Sequence, residues 1–409
     1  MPGLTTTERR ERARKALGKP APFGSDISLG TYVERAEEHP YQEDPSKLPS
    51  VDKEDMLRVG MTLEDLRGRS GTFIQKDQSV IHYSSSQEGL EVLSIPEAFQ
   101  TYGWLEELWW KAVDVDADKF TAETEIAESN GYFIRSLAGQ KAAFPVQACL
   151  YLGHRNLAQR VHNIIIAEED SELHIITGCT ARPMARGLHI GVSEFYVRPG
   201  AKISFTMIHN WGPEIEVRPR SAAVIEEDGV FLSNYVCMNP VSSLQMYPTA
   251  RCVGPNSIVR FSSVVVAPPG SVMDVGSRAI LDGEGARAEI ISRAISMGGH
   301  IIARGDIRGN APNVKGHLEC RGLILADEGT IHAIPELVGT LPLVDLSHEA
   351  AVGKIAEEEL EYLMARGLSR SEATAMIVRG FLNVDIVGLP PHLEAELRRA
   401  IEASQKELF

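Results

Sequence analysis

No C-x-x-C pair occurs in this chain of 409 residues, and its five cysteines, Cys149, Cys179, Cys237, Cys252 and Cys320, lie far apart. That excludes a self-contained zinc knuckle or a ferredoxin-type run of ligands, and five thiols are too few for a disulfide-dense scaffold. Basic residues are outnumbered, 41 Lys plus Arg against 56 Asp plus Glu, for a formal net charge of −15. A field of that sign repels phosphate backbones, and no local basic patch offsets it, so nucleic acid is not an expected partner. No apolar run reaches the roughly 18 residues that a membrane-spanning helix needs. The N-terminus has no apolar signal core, and Glu8 and Glu11 interrupt its basic stretch, which predicts a reducing cytoplasm. Nucleotide motifs are missing too. Gly18-Lys19 has no upstream glycine and runs into Pro20, and Gly283-Glu284-Gly285 has no third glycine. There is no H-E-x-x-H or G-x-S-x-G either, so nucleotide chemistry is expected on another chain. No flavin requirement is read from these residues.

What is present is a hydrophobic share of 43%, ample for a packed core. Residues 1–50 read as a charged helix followed by an acidic, proline-rich arm. Residues 51–130 read as a helical region, with a brief pattern at Thr62-Leu63-Glu64-Asp65-Leu66. A stronger pattern places Leu105, Leu108, Trp109 and Ala112 on one apolar face.

From about 131 to 344 the texture changes to short Val/Ile/Phe/Tyr-rich runs. Turn residues punctuate them: Asp170, Gly200, Gly229, Asn256, Gly270, Gly285, Gly299, Asn313 and Gly329. The first three intervals, 30, 29 and 27, are about twice the later ones of 14 to 16. One cadence of 14–15 residues over this length predicts a mainly β fold with a solenoid core; a β-sandwich, with shorter turn spacing, is the alternative. Residues 345–409 return to helical patterns. Ser369-Arg370-Ser371-Glu372 has capping-box form, and a last amphipathic segment carries Leu393, Leu397, Ala400 and Ile401. Helices with such narrow apolar faces must dock on the solenoid or on another protein.

In a solenoid of about 29 residues per turn, Cys320 comes near His348 and Glu349. Thiolate, imidazole and carboxylate are donor types that hold iron or accept sulfur. A buried structural cysteine and a plain helix start capped by Ser347 are the alternatives for these positions. Cys179 reads as a thiol at a strand end beside Arg182 and Arg186, which would lower its pKa. Cys149 and Cys237 read as strand-core residues, and His209-Asn210-Trp211 as a turn.

Five segments stand in the order and spacing of one family: Gly178-Cys179-Thr180-Ala181, His209-Asn210-Trp211, Glu319-Cys320, Leu346-Ser347-His348-Glu349-Ala350 and Met376-Ile377-Val378-Arg379-Gly380-Phe381. Over residues 95–390 the chain resembles the SufB/SufD iron–sulfur cluster assembly proteins. The resemblance implies a right-handed parallel β-helix between helical regions, serving as a scaffold without catalytic activity of its own. It implies a transient iron–sulfur cluster at Cys320, His348 and Glu349, and sulfur acceptance from a cysteine desulfurase at Cys179. It also implies docking of a SufC-like ABC ATPase through Glu372, Met376, Ile377 and Phe381, and pairing with a second copy or a SufB/SufD paralogue. Having the cysteine, the glutamate and the histidine together, the chain looks SufB-like, with a SufD-like structural subunit as the alternative. A polysaccharide-acting β-helix would call for paired carboxylates and exposed aromatics along a groove, and only isolated candidates occur.

Overall fold

The computed structural model describes residues 5–63, 68–127, 129–183 and 186–382; residues 64–66 of the brief helical pattern and the final segment with Leu393, Leu397, Ala400 and Ile401 lie outside them. The chain opens with α1 (Thr6–Ala16), where Thr5 and Glu8 cap each other's backbone, and continues to α2 (Ser50–Leu57). Next come β1 (Gly71–Lys76), β2 (Ser79–Ser85), β3 (Leu90–Ser94), α3 (Ile95–Thr101), α4 (Lys119–Ile126) and β4 (Tyr132–Ser136). The coil proper continues with β5 (Val146–Leu152), β6 (Leu157–Ala167), β7 (Glu172–Ala181), β8 (Gly187–Val197) and β9 (Lys202–Asn210). Its middle holds β10 (Ile215–Val217), β11 (Arg220–Ile225), β12 (Val230–Cys237), β13 (Ser243–Met246) and β14 (Thr249–Cys252). Longer strands complete it: β15 (Ile258–Ala267), β16 (Val272–Leu281), β17 (Arg287–Ser296), β18 (His300–Gly309), β19 (Lys315–Ile324), β20 (Thr330–Gly339) and β21 (Asp345–Gly353). Helices α5 (Glu357–Met364) and α6 (Arg370–Leu382) follow.

Two sheets enclose the core. One runs β2-β1-β5-β7-β9-β12-β15-β17-β19-β21; the other runs from β3 through β4, β6, β8, β11, β14 and β16 to β18 and β20, with β10 and β13 at its side. Only β1–β2 and β3–β4 pair antiparallel among these strands. Lys202 faces both Glu172 and Val230, Ile258 faces Val230 and Arg287, and Lys315 faces Arg287 and Asp345. Those partners are 28 to 30 residues apart, so one rung is two of the 14–15-residue units. The chain is a β-solenoid. Asp170, Gly200, Asn256, Gly270, Gly285, Asn313 and Gly329 all adopt positive φ, and Gly229 and Gly299 directly follow Asp228 and Gly298, which do. Short polar residues and glycine tolerate that conformation, and this is why they mark the corners. At Gly283 the stacking leaves no room for a side chain, since a Cβ would lie 2.0 Å from the Gly254 carbonyl oxygen of the rung before.

Parallel pairing keeps every second residue pointing inward, so interior positions stack in lanes. One lane runs Val146, Ile175, Phe205, Ser233, Phe261, Ile290, Leu318, His348. Its neighbour runs Ala148, Thr177, Met207, Tyr235, Ser263, Ser292, Cys320, Ala350. Phe195 of the facing sheet packs edge-on to Phe205, with ring centroids 4.8 Å apart.

Three expectations need correction. Residues 51–130 are not uniformly helical, because β1 to β3 cross them and β1 joins β5 to start the stack. The solenoid does not stop at 344: β21 adds a strand to Gly353, so His348 and Glu349 belong to a strand and not to a helix start. The tryptophan segment is helical only to Thr101, then forms a 3-10 turn, and Trp110 takes a φ of 58°. The backbone N–H groups of Trp110, Ala112 and Val113 donate to the buried Glu194 carboxylate at 2.8, 2.6 and 3.0 Å instead of to a helix.

Ile175 is wholly buried in the first lane. Ile175→Ala is expected to cost about 2–5 kcal/mol through lost contacts and the cavity left behind, read as a lowered thermal midpoint by circular dichroism. An unchanged midpoint would contradict the packing.

Candidate functional site

The last rung gathers the candidate iron ligands, and the register sorts them by face. Leu318 stands opposite His348, Glu319 opposite Glu349, and Cys320 opposite Ala350. Leu318 and Cys320 are interior residues, at 0% and 2% exposure. His348 therefore shares the inward face with Cys320, one strand over and offset by two residues. It is exposed because no described strand covers β21. Glu349 lies on the outer face. There Glu319 accepts ion pairs from Arg293 at 2.7 Å and Arg321 at 2.8 Å, and Arg321 reaches Glu349 at 4.0 Å. The structure thus brings Cys320 and His348 to one side and turns Glu349 to the other. Among the described residues no three His, Cys, Asp or Glu side chains converge to hold a metal ion. Burial, reinforced by Glu319, pushes the Cys320 thiol up to about 11, with Arg293 opposing.

Cys179 is not on a loop. It sits inside β7, fully buried and facing the interior, and burial pushes its thiol well above the ordinary value. The arginines expected to activate it are engaged elsewhere. Arg182 pairs with Asp52 at 3.4 Å, and Arg186 lies over the Tyr32 ring at 5.8 Å. The expected lowering of its pKa is therefore overturned: desolvation outweighs any cation nearby. In its lane Cys179 stands opposite His209, and His209 opposite Cys237. His209 is a buried residue of β9, one before the strand ends at Asn210, so the turn begins only beyond Asn210.

At the C-terminal end, Ser369 and Glu372 form the expected cap, with the Ser369 N–H donating to Glu372 at 2.8 Å and the Glu372 N–H to Ser369 Oγ at 3.3 Å. Val378 is buried against Val236, Val264, Val266, Ile295 and Leu323 on the outside of the solenoid, and Phe381 packs on the same cluster. Ile377 is half-buried, and Glu372 is exposed. Met376 remains 45% exposed, as do Tyr362 and Met364 of α5 at 58% and 39%. One apolar edge of α6 thus holds the helix to the solenoid and another is presented outward.

With this geometry in hand, comparison with known proteins is specific. A family model described as SUF system FeS cluster assembly, SufBD core domain, matches residues 151–381. An iron–sulfur cluster assembly SufBD family protein of Methanothermobacter thermautotrophicus is 50% identical over 403 residues, which is 97% of this chain and 98% of the relative. The chain belongs to the SufBD family. SufBD relatives also include an Archaeoglobus fulgidus protein, 55% identical over 359 residues (88% of this chain, 96% of the relative). A Pyrococcus horikoshii protein is 33% identical over 371 residues, 88% of this chain and 83% of its own length.

All five thiols of this SufBD protein are buried. At neutral pH the native chain is expected to resist alkylation at each of them, whereas denatured chain reacts at all. As pH rises, Cys320, pushed to about 11, reacts before Cys237 and Cys252, which burial holds at about 12. The sign follows from the thiolate being the reactive form. Peptide mapping of the alkylated sites checks this, and fast neutral labelling of Cys179 would contradict its burial.

Proposed function

We propose that this chain is a cytoplasmic assembly scaffold of the SufB type. It accepts sulfur from a cysteine desulfurase at Cys179 and builds an iron–sulfur cluster, as cargo, at Cys320, with His348 and Glu349 as further donors. Two copies form the working unit, each carrying a SufC-like ABC ATPase on its C-terminal helices. The observation that carries this reading is the register of β19 with β21, which puts a thiol and an imidazole on one face at an end of the coil that no described strand covers. One chain offers a single thiolate there, and clusters take several, so a two-fold pairing supplies a reason for dimerisation. The outer edge of β21 carries backbone donors and acceptors that a second copy can pair. ATP-driven movement of the partners would open that interface and release the cluster, consistent with a chain that has no phosphate-binding motif of its own.

A SufD-like structural subunit is the second reading. The outward turn of Glu349 and the 2% exposure of Cys320 favour it. Anaerobic reconstitution with iron and sulfide separates the two. Cys320→Ser is expected to lose the visible absorbance of bound cluster while Cys252→Ser keeps it; full retention in Cys320→Ser would sink the SufB-type assignment. The ATPase contact has its own test. Met376→Lys, at an exposed position, should leave the thermal midpoint unchanged and abolish co-purification with the ATPase. Unchanged co-purification would remove this part of α6 from the interface.

A further inference from the structure

A cleft of about 310 Å³ lies between the acidic arm and the first rungs of the coil, at the low end of the size range of small-molecule sites. Its arm wall is fastened on both sides. Val33 bridges to Leu157 of β6, Gln78 in the β1–β2 turn accepts the Ala36 N–H at 3.2 Å, and His39 Nε2 lies 2.9 Å from the Asp77 carboxylate. Glu34, Arg35 and Glu38 of the arm line the cleft, and none of the three side chains has a partner among the described residues. Opposite them stands Arg160, 8% exposed, on β6. Its guanidinium spends three of its five N–H groups, on the Glu34 and Ala158 carbonyls at 3.3 and 3.2 Å and on Glu123 at 2.7 Å. Its Nε has no partner among the described residues. Helix α4 also ends at this cleft, with Ala127, where the last carbonyls of a helix favour a cation.

Charges of both signs that share a cleft without pairing with one another favour a ligand that carries both. A simple anion would meet Arg35 and Arg160 but also Glu34 and Glu38, and a simple cation would meet the reverse. A zwitterion satisfies both sets at once. Ser129 and Asn130 continue the lining with neutral polar groups, which suits a ligand with a small polar side chain. We propose that this cleft binds a small zwitterion of the α-amino acid class, its carboxylate toward Arg35 and Arg160 and its ammonium toward Glu34, Glu38 and the end of α4. Because the arm supplies one wall and the coil the other, bound ligand ties the arm to the first rungs and stabilises the folded chain. The site holds no thiol and lies toward the opposite end of the strand order from β21, so it stands apart from the iron and sulfur chemistry.

The test titrates the full chain at neutral pH with L-glutamine and with L-serine, reading binding by saturation-transfer NMR of the amino acid and by the thermal midpoint. Lactate, a carboxylate without the ammonium, and ethanolamine, an ammonium without the carboxylate, are the comparison ligands. At least one amino acid should bind saturably at millimolar concentration and raise the midpoint, and lactate and ethanolamine should bind about ten-fold more weakly or less. Arg35→Ala, and Glu34→Gln combined with Glu38→Gln, should each weaken binding several-fold while leaving the midpoint of the unliganded chain unchanged, since these side chains are exposed. Arg160 is spared, because its removal would strip Glu123 of its cation and mix folding with binding. Lactate or ethanolamine binding as tightly as the amino acids overturns the zwitterion assignment. Binding undiminished in both variants overturns the site, and saturation by neither amino acid overturns the proposal outright.

Discussion

Parallel backbone pairing at an offset of 28–30 residues is the constraint on which the rest of this molecule depends. Because the pleat alternates, each pairing decides not only which residues are neighbours but also which side of the wall they occupy. A one-residue slip between β19 and β21 would carry His348 outward and Glu349 inward. The observed register instead ends two interior lanes on His348 and Ala350 and leaves Glu349 above Glu319 in the outer charged ladder. The same rule seats Cys179, His209 and Cys237 in one interior lane. The raised thiol pKa values of Cys179, Cys237 and Cys320 follow from that sorting, because burial removes the solvation that would stabilise a thiolate.

A second constraint fastens the N-terminal region to the coil. Glu194, wholly buried on β8, accepts the backbone N–H groups of Trp110, Ala112 and Val113 and faces His162 Nε2 at 2.9 Å. A carboxylate at such depth is tolerable only because these donors replace its water. Trp109 stacks on His162 with ring centroids 3.7 Å apart, and Leu105 and Leu108 pack against Phe133, Ile164, Ile166 and Tyr196. The tryptophan-rich segment therefore covers the outside of the coil as part of its hydrophobic packing, with a short 3-10 turn and no α-helix between Thr101 and Lys119.

Much of the fold was legible because corners have a local signature. Asp170, Asn256 and Asn313 could be picked out as turns since few side chains tolerate positive φ, and their spacing carries the half-rung period. The capping box of Ser369 and Glu372 was legible for the same reason, being made within four residues. Strands β1 to β3 were not, because they are short and their pairing with β5 and β4 leaves no mark on a local window. The course of the tryptophan segment was not legible for a related reason: its apolar spacing is that of a helix, but the carboxylate that captures its backbone lies 81 to 84 residues away. At the candidate site, proximity of Cys320 to the 348–349 pair followed from the period alone. The division between faces did not, since the period was known only to within a residue and a face depends on odd or even.

Sequence by itself therefore determined the family, the solenoid and its rung length, and which few residues are of the types that bind iron and carry sulfur. These are matters of residue type and of spacing along the chain. Tertiary structure decided which of those residues look at one another and how reactive they are: Cys320 with His348 but not with Glu349, and Cys179 deep in the wall, not beside its arginines. The reason is that a thiol's pKa and a donor's reach are set by desolvation and by the parity of distant pairings. Neither is encoded in any short stretch of chain.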